Sequence, residues 1–313
     1  MRAKLLLLNT DERGKMLCEC ADAVLGEIAV TFSHQFSIMR EKIGEASRLD
    51  YGAAITEETV ALAMRSNAIL VGRAECEEMD IFLSALSVPH ITRRFPLPGN
   101  GLCYIMKTTS LNEEVIRLAK AEAMKIASEE HLPIYHIEPT GKAKEIWNRV
   151  MQSDGERKES ISINTLNTQQ AMEMLVHNVH SMGILLAPPY AGNFFTTLAT
   201  TLHKAPMLLY DASSNNKTHI LAPVVMDATS THDDINPLGM LASVAHMLRY
   251  ALNLQQEADF VDSVVENCLS AGWYTKDMYV KNGKGPISGD QMFQLIMEQI
   301  SMASELANLK GEL

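Results

Sequence analysis

The chain contains no Gly-x-Gly-x-x-Gly, no Walker loop, no Gly-x-Ser-x-Gly and no His-Glu-x-x-His. Those absences remove the usual sequence routes to a Rossmann dinucleotide fold, a P-loop nucleotidase, an α/β-hydrolase nucleophile elbow and a helical zinc peptidase. Cysteine is scarce: Cys18, Cys20, Cys76, Cys103 and Cys268 are the only five, and no two form Cys-x-x-Cys. A zinc ribbon or a redox pair therefore has no support, and free thiols fit a reducing cytoplasm. Basic residues are also in deficit, with 27 Lys and Arg against 38 Asp and Glu, a net charge of −11. This balance argues against binding to nucleic acid or to an anionic membrane face, both of which need basic patches. The start, "MRAKLLLLNTDERGK", has four consecutive leucines before polar residues resume. That is too short for a signal-peptide core or a membrane span, and reads as a first β-strand.

What is present is ordinary globular material. Hydrophobic residues make up 47% of the 313 and charged residues 21%, enough for one large domain or two modest ones. The 19 methionines read as adaptable core packing, and Trp147 and Trp273 as packing residues. Apolar runs of strand length recur at Leu5–Leu8, Ala68–Val71, Gly183–Ala187, Met207–Tyr210 and Ile220–Val225. Amphipathic stretches lie between them: Gly14–Leu25, Thr56–Arg65 with Thr56 as N-cap, Leu111–Glu129, Gln169–Val176, Leu238–Leu252, Gln255–Leu269 and Gln291–Leu309. Strands alternating with helices predict an α/β fold with a largely parallel sheet. Turn-rich punctuation falls at Pro96–Gly101, Ser153–Arg157 and Ala212–Lys217, the first a candidate domain crossing.

Few residues advertise chemistry. His177 and His180 stand at i, i+3 without a neighbouring carboxylate or thiol, and the mixed run Glu156–Glu159 reads as a solvated loop. "HDDINP" (His232–Pro237) reads first as helix capping, with Asn236 as N-cap, and second as carboxylates facing a cleft. The most informative stretch is "GILLAPPYAGNFFTTLAT", Gly183–Thr200: a buried strand, a Pro188-Pro189 turn and a helix. Ligands in open α/β sheets bind where such a strand ends and its helix begins, yet this stretch contains no Asp, Glu, Lys or Arg.

Four segments, in order, resemble one family. "AITEETVALAMRSNAILVGR" (Ala54–Arg73) resembles its Leu-Pro-x-x-Thr helix and following strand, and "EEVIRLAKAEAMKIA" (Glu113–Ala127) its Glu-Ile-x-Arg-Ile-Ala-Arg helix. "INPLGMLASVAHMLRYAL" (Ile235–Leu252) is similar to its segment running from Ala-Asn-Pro to Leu-Arg-Tyr, and "AGWYTKDM" (Ala271–Met278) to its Gly-x-x-Thr-x-Asp stretch. The family is the isocitrate and isopropylmalate dehydrogenases, the β-decarboxylating dehydrogenases. The resemblance implies a two-domain α/β fold in which the chain leaves the first domain and returns to it. Residues 1–96 plus 205–313 would form the first, cofactor-side domain, and residues 97–204 the second, with the dimerisation helices. It also implies a homodimer, or pairing with a paralogous subunit, and an active site in the cleft between domains.

The family's default cofactors are NAD and Mg²⁺, the metal held by three aspartates. Two of these belong to a Gly-Asp-x-x-x-Asp helix, which here reads Gly192-Asn193-Phe194-Phe195-Thr196-Thr197; the third falls near Gln169. The metal positions Gln169, Asn193 and Thr197 are thus neutral, and no metal or cofactor is expected. The family's catalytic lysine aligns near Pro139, with Lys142 and Lys144 close by, and its NAD loop falls on Pro223–Thr229 without the key residues. The segment that would hold its catalytic tyrosine is bridged by Pro98–Thr109, and its first loop becomes "NTDERGKM", with Met16 in place of a glutamate. Of its arginine clamp, Arg93 or Arg94 remains. The resemblance leaves Arg94, Asn193, Thr197, Asp227 and Asp233 as cleft candidates, with His203 and His232 beside them, and Asp11, Asn236 and Asp277 on the cofactor side. It implies a non-catalytic, ligand-binding or regulatory relative whose ligand is a small organic acid. The alternatives are an NAD(P)-dependent oxidoreductase acting on a 2-hydroxy acid and a metal-free enzyme using the same cleft. A cytoplasmic location, no nucleic acid and no membrane complete the expectation.

Overall fold

The computed structural model describes residues 1–97, 101–153, 161–203, 208–215, 217–225, 235–278 and 283–310. The chain divides into two compact units. Unit 1 comprises Met1–Phe82, Lys204–Ala212 and Asn216–Leu313; unit 2 comprises Leu83–His203 and Ser213–Asn215. The first crossing falls at Phe82 to Leu83, ahead of the turn at Pro96–Gly101, within helix α4 (Met79–Ala85).

Unit 1 opens with β1 (Arg2–Asn9), whose four leucines are buried as the central strand of a parallel sheet requires. The chain continues through α1 (Glu12–Thr31), edge strand β2 (Gln35–Lys42), α2 (Glu45–Tyr51), α3 (Glu57–Arg65) and β3 (Ala68–Val71). Thr56 caps α3 as expected, its hydroxyl accepting from the Thr59 N–H at 3.1 Å. After unit 2 the chain supplies β9 (Tyr210–Ser214), β10 (His219–Pro223), α9 (Leu238–His246), a π-helical turn at Met247–Ala251, α10 (Gln255–Ser270), the small pair β11 (Trp273–Thr275) and β12 (Gly285–Ile287), and α11 (Gly289–Lys310). Strands β2, β1, β3 and β10 lie side by side in that order, all parallel. β1 is therefore a switch point: the path leaves it by α1 to β2 on one side and returns by α3 to β3 on the other. The core joins both chain ends, packing Leu5, Leu25 and Ile28 against Leu241, Val264 and Ile300.

Unit 2 comprises β4 (His90–Leu97), β5 (Gly101–Thr108), α5 (Glu113–Glu130), β6 (Ile134–Ile137), α6 (Ala143–Gln152), β7 (Ile163–Leu166), α7 (Thr168–His177), β8 (Ile184–Ala187) and α8 (Pro189–Leu202). Its strands run in the order β4-β5-β8-β6-β7. β5, β8, β6 and β7 are parallel, while β4 pairs antiparallel with β5 from His90↔Thr108 to Leu97↔Gly101. Only three residues separate these two strands, a connection that an antiparallel pair permits and a parallel pair does not. The core is Met106, Ile116, Ala123, Trp147, Ile184 and Leu186.

The largely parallel α/β reading holds, with corrections at the edges. The strand expected at Met207–Tyr210 is Tyr210–Ser214, so residues expected as a turn at Ala212–Lys217 are partly strand, with Ser213 buried. Helix Leu238–Leu252 changes to π geometry after His246. Among the described residues, no helix is long and apolar enough to cross a membrane.

Candidate functional site

The candidate site lies at the carboxyl ends of the parallel strands of unit 2, where β8 turns into α8. β8 is buried along its length. Pro188 then holds φ at −65° in the cap position and Pro189 takes the first helical position, where its missing N–H costs nothing. No acidic residue sits in the first turn of α8. The helix packs close over β5 because residue 192 is glycine: a Cβ there would meet Lys107 Cβ at 2.2 Å. Lys107 thus passes along α8, and its ammonium donates to Asn193 Oδ1 at 2.6 Å. Thr197, one turn on, donates its hydroxyl to the Asn193 carbonyl at 2.9 Å, so its hydrogen is used within the helix.

The two neighbouring arginines separate. Side chains alternate across a strand, and the register places Arg93 on the Ile105 and Lys107 side and Arg94 on the Tyr104 side. Arg93 is buried and donates to Thr200 Oγ1 on α8 at 2.9 Å; Arg94 is exposed on the other face and is not brought to Asn193 or Thr197. Beside the helix start, the Thr140 N–H donates to Tyr190 Oη at 3.3 Å. Lys144 pairs with Glu138 at 2.7 Å, a hydrogen bond that holds the Glu138 carboxyl below its ordinary range. Lys142 is exposed at the start of α6. His203, at the end of α8, packs against Phe95 and lies 3.2 Å from the Pro96 carbonyl. Gln169 is exposed on the first turn of α7 and donates to Glu173 Oε1 at 2.9 Å within its own helix.

In unit 1 the carboxyl end of β1 holds Asp11. Its side chain caps α1 by accepting from the Gly14 N–H at 2.7 Å and pairs with Arg73 at 2.9 Å. Gly14 and Gly72 meet backbone to backbone here: a Cβ on Gly72 would lie 2.5 Å from Gly14 Cα. Asn236 is buried and accepts from the Leu238 N–H at 2.9 Å, a contact it makes from one residue before the cap, since Pro237 rather than Asn236 takes the cap position of α9, while its Nδ2 has no partner among the described residues. Asp277 follows β11 and is half-buried. Asp227, His232 and Asp233 lie outside the described residues.

A hard divalent cation needs several oxygen anions. Asn193, Thr197 and Gln169 offer only neutral oxygens, and the Asn193 oxygen already accepts from an ammonium. Among the described residues, no three His, Cys, Asp or Glu side chains gather as ligands. The described residues at these three positions do not fit a bound Mg²⁺ or Mn²⁺. Sequence reasoning overlooked Lys107, although a lone charge after the apolar run Cys103–Met106 was a legible signal.

The isocitrate/isopropylmalate dehydrogenase family model matches residues 102–296. The 3-isopropylmalate dehydrogenase of Oceanobacillus iheyensis is 21% identical, with 97% of each chain aligned; that of Heyndrickxia coagulans is 20% identical over 91% of this chain and 93% of its own. Among solved structures, an isocitrate dehydrogenase from Methylococcus capsulatus superposes with a TM-score of 0.80 at 14% identity, covering 95% of this chain and 99% of that one. An apo β-decarboxylating dehydrogenase from Thermococcus kodakarensis gives 0.76 at 17% identity over 98% of both chains. The chain belongs to the isocitrate/isopropylmalate dehydrogenase family.

Proposed function

We propose that this protein is a non-catalytic, ligand-binding member of its family, working without a divalent metal. The observation that carries this reading is the Lys107–Asn193 contact: a fixed ammonium lies 2.6 Å from the oxygen of the residue that takes the place of a metal-binding aspartate. A cation there repels a divalent ion and attracts an anion. With the positive end of α8 close by and no acid in its first turn, the edge suits a small organic acid.

A thermal-shift titration with NAD⁺, NADP⁺ and NADH, each with and without Mg²⁺, tests the reading. Binding to the native state alone raises stability by about 2.7 kcal/mol at a hundredfold excess over Kd. No metal-dependent shift is expected; one would restore a dehydrogenase. The triple variant Lys107→Ala, Asn193→Asp, Thr197→Asp should take up Mn²⁺ by calorimetry more tightly than the two aspartates alone, because Lys107 would offset one of the two new charges and occupy the carboxylate at position 193.

One atom favours a second reading, an NAD(P)-dependent oxidoreductase. Buried Asn236 Nδ2 is a donor without an acceptor among the described residues, at the start of α9 in unit 1. When bound, a nicotinamide cofactor supplies a hydride acceptor; Asn236 would hold one of its acceptor atoms. A metal-independent shift with NAD⁺ that Asn236→Leu abolishes would select this reading.

The assembly we propose is a homodimer through α8. Tyr190, Phe194 and Leu202 recur on one stripe of that helix and are 53%, 49% and 50% exposed. Phe194→Glu should give a monomer by light scattering; an unchanged mass would place the contact elsewhere or pair the chain with a paralogue.

A further inference from the structure

The amino ends of the strands in unit 1 form an open groove of about 650 Å³ whose polar lining is Arg2, Lys4, Gln35, Ser37, Arg65 and Asn67. Alternation along β1 puts Arg2, Lys4, Leu6 and Leu8 on one face. Leu6 and Leu8 are buried, whereas Arg2 and Lys4 are exposed, so the cover that a parallel sheet requires stops short of its amino end. The register extends that bare face onto the edge strand: Arg2 lies beside Gln35 and Lys4 beside Ser37, all exposed. Asn67, which exchanges hydrogen bonds with the Lys4 backbone, and Arg65, the last residue of α3, close the other side.

Two independent properties set this groove apart. The first is charge. Arg2, Lys4 and Arg65 form no ion pair among the described residues, and no Asp or Glu lines the groove, in a chain whose net charge is −11. At the other end of the same edge strand the basic side chains are matched, Arg40 by Asp22 and Lys42 by Asp50. Like charges brought together repel, so three without a counter-charge are a standing cost. The second is hydrogen-bond polarity. Both amide oxygens are used within the protein: Asn67 Oδ1 accepts from the Lys4 N–H at 2.8 Å, and Gln35 Oε1 from Arg2 Nε at 2.7 Å. That leaves the two amide NH₂ groups, the outer nitrogens of Arg2, the Arg65 guanidinium and the Lys4 ammonium, all of which only donate. A lining of donors calls for a ligand of acceptors.

We propose that this groove binds a small phosphate-bearing molecule, its phosphate groups held by Arg2, Lys4 and Arg65 with Asn67 and Gln35 as neutral donors. A carboxylate has about four lone-pair sites, fewer than these donors can fill. Each phosphate brings three acceptor oxygens and close to two charges, and arginine meets it through paired N–H groups. The acidic balance of the chain selects for a small ligand. Within a screening length of about 8 Å the three cations dominate, whereas over the longer face of a nucleic acid or a membrane the excess acid counts. The groove's volume is that of a small-molecule site. It lies wholly in unit 1 and shares no residue with the Lys107 edge, so the two proposals fail separately.

Inorganic diphosphate is the probe, with citrate as a carboxylate of similar charge. Both are titrated at low salt into the full chain carrying Lys107→Met, which removes the other anion candidate. Calorimetry should show saturable diphosphate binding at one site, about tenfold tighter than citrate. Amide NMR should show shifts at residues 2–4, 35–37 and 65–67. Lys4→Gln and Arg65→Gln, both on the surface, should each weaken binding severalfold with an unchanged circular dichroism spectrum, while Lys4→Arg should bind at least as well. No saturable binding, equal binding of citrate, shifts confined to other residues, an affinity indifferent to both Gln variants, or sedimentation with phosphatidylglycerol vesicles in place of diphosphate binding would each overturn it.

Discussion

In unit 1, Asp11 caps α1 and pairs with Arg73; in unit 2, α8 begins on two prolines and carries no acid in its first turn. Both helices approach their strands through glycine, Gly14 against Gly72 in one and Gly192 against Lys107 in the other. The steric design is therefore the same, and the charge design is opposite. Unit 1 neutralises its helix end with the chain's own ion pair. Unit 2 leaves its helix end positive and adds an ammonium facing a neutral amide. Close packing and charge are thus set independently at the two helix ends, because a glycine answers to backbone approach and an acid to the helix dipole.

The comparison breaks most severely at the glycines. Gly72→Ala drives a Cβ into the Gly14 backbone, which cannot move aside, and should cost on the order of 4 kcal/mol. Each unit contains one tryptophan, Trp273 in unit 1 and Trp147 in unit 2, so urea unfolding of single-tryptophan variants reads the units separately. The loss should register at Trp273.

Acid should act on the other unit. His90 and His136, both in unit 2, are pushed down to about 4 by burial. Between that value and about 6.5 the unfolded chain binds protons that the folded chain refuses, so stability is full above this window and is lost as the pH falls through it. The loss approaches about 3 kcal/mol for each histidine. Trp147, whose indole N–H donates to His136 Nδ1 at 3.1 Å, should report unfolding at a higher pH than Trp273. Coincident transitions would mean that the units unfold together.

Smaller effects sharpen the charge contrast. Asp11→Ala removes a cap and leaves Arg73 without its carboxylate, for about 2 kcal/mol in chemical denaturation. Lys107→Met removes an exposed contact and should change stability by less than about 0.5 kcal/mol. It should nevertheless abolish any stabilisation of unit 2 by organic acids such as malate or citrate, measured as loss of their thermal shift.

How far the sequence was legible follows from the same division. Thr56, the Pro188-Pro189 start and the runs Leu5–Leu8 and Ala68–Val71 were readable because local rules determine them: a cap hydroxyl, a fixed φ, a strand buried on both faces. β4 escaped notice because "HITRRFPL" carries two adjacent arginines, only one of which is exposed. The pairing that buries Arg93 against Thr200 joins residues 107 positions apart. The same long reach hid Lys107, whose partner lies 86 residues away. Asn193, Thr197 and Gln169 could be named from spacing and resemblance, but that an ammonium faces Asn193 is a fact of β5 packing under α8. Arg94 was indistinguishable from Arg93 until strand register separated them.

The division of the chain also sets a schedule for its synthesis. The bulk of unit 2, Leu83–His203, is one uninterrupted segment, so it can complete its core while translation continues. Unit 1 cannot: Leu5, Leu25 and Ile28 must wait for Leu241, Val264 and Ile300. At roughly 5–20 residues per second, the first strands and α1 spend on the order of 10 s or more with their apolar faces uncovered on the ribosome. For that interval this half of the molecule is a client for chaperones, and the later half of the chain is the part that releases it.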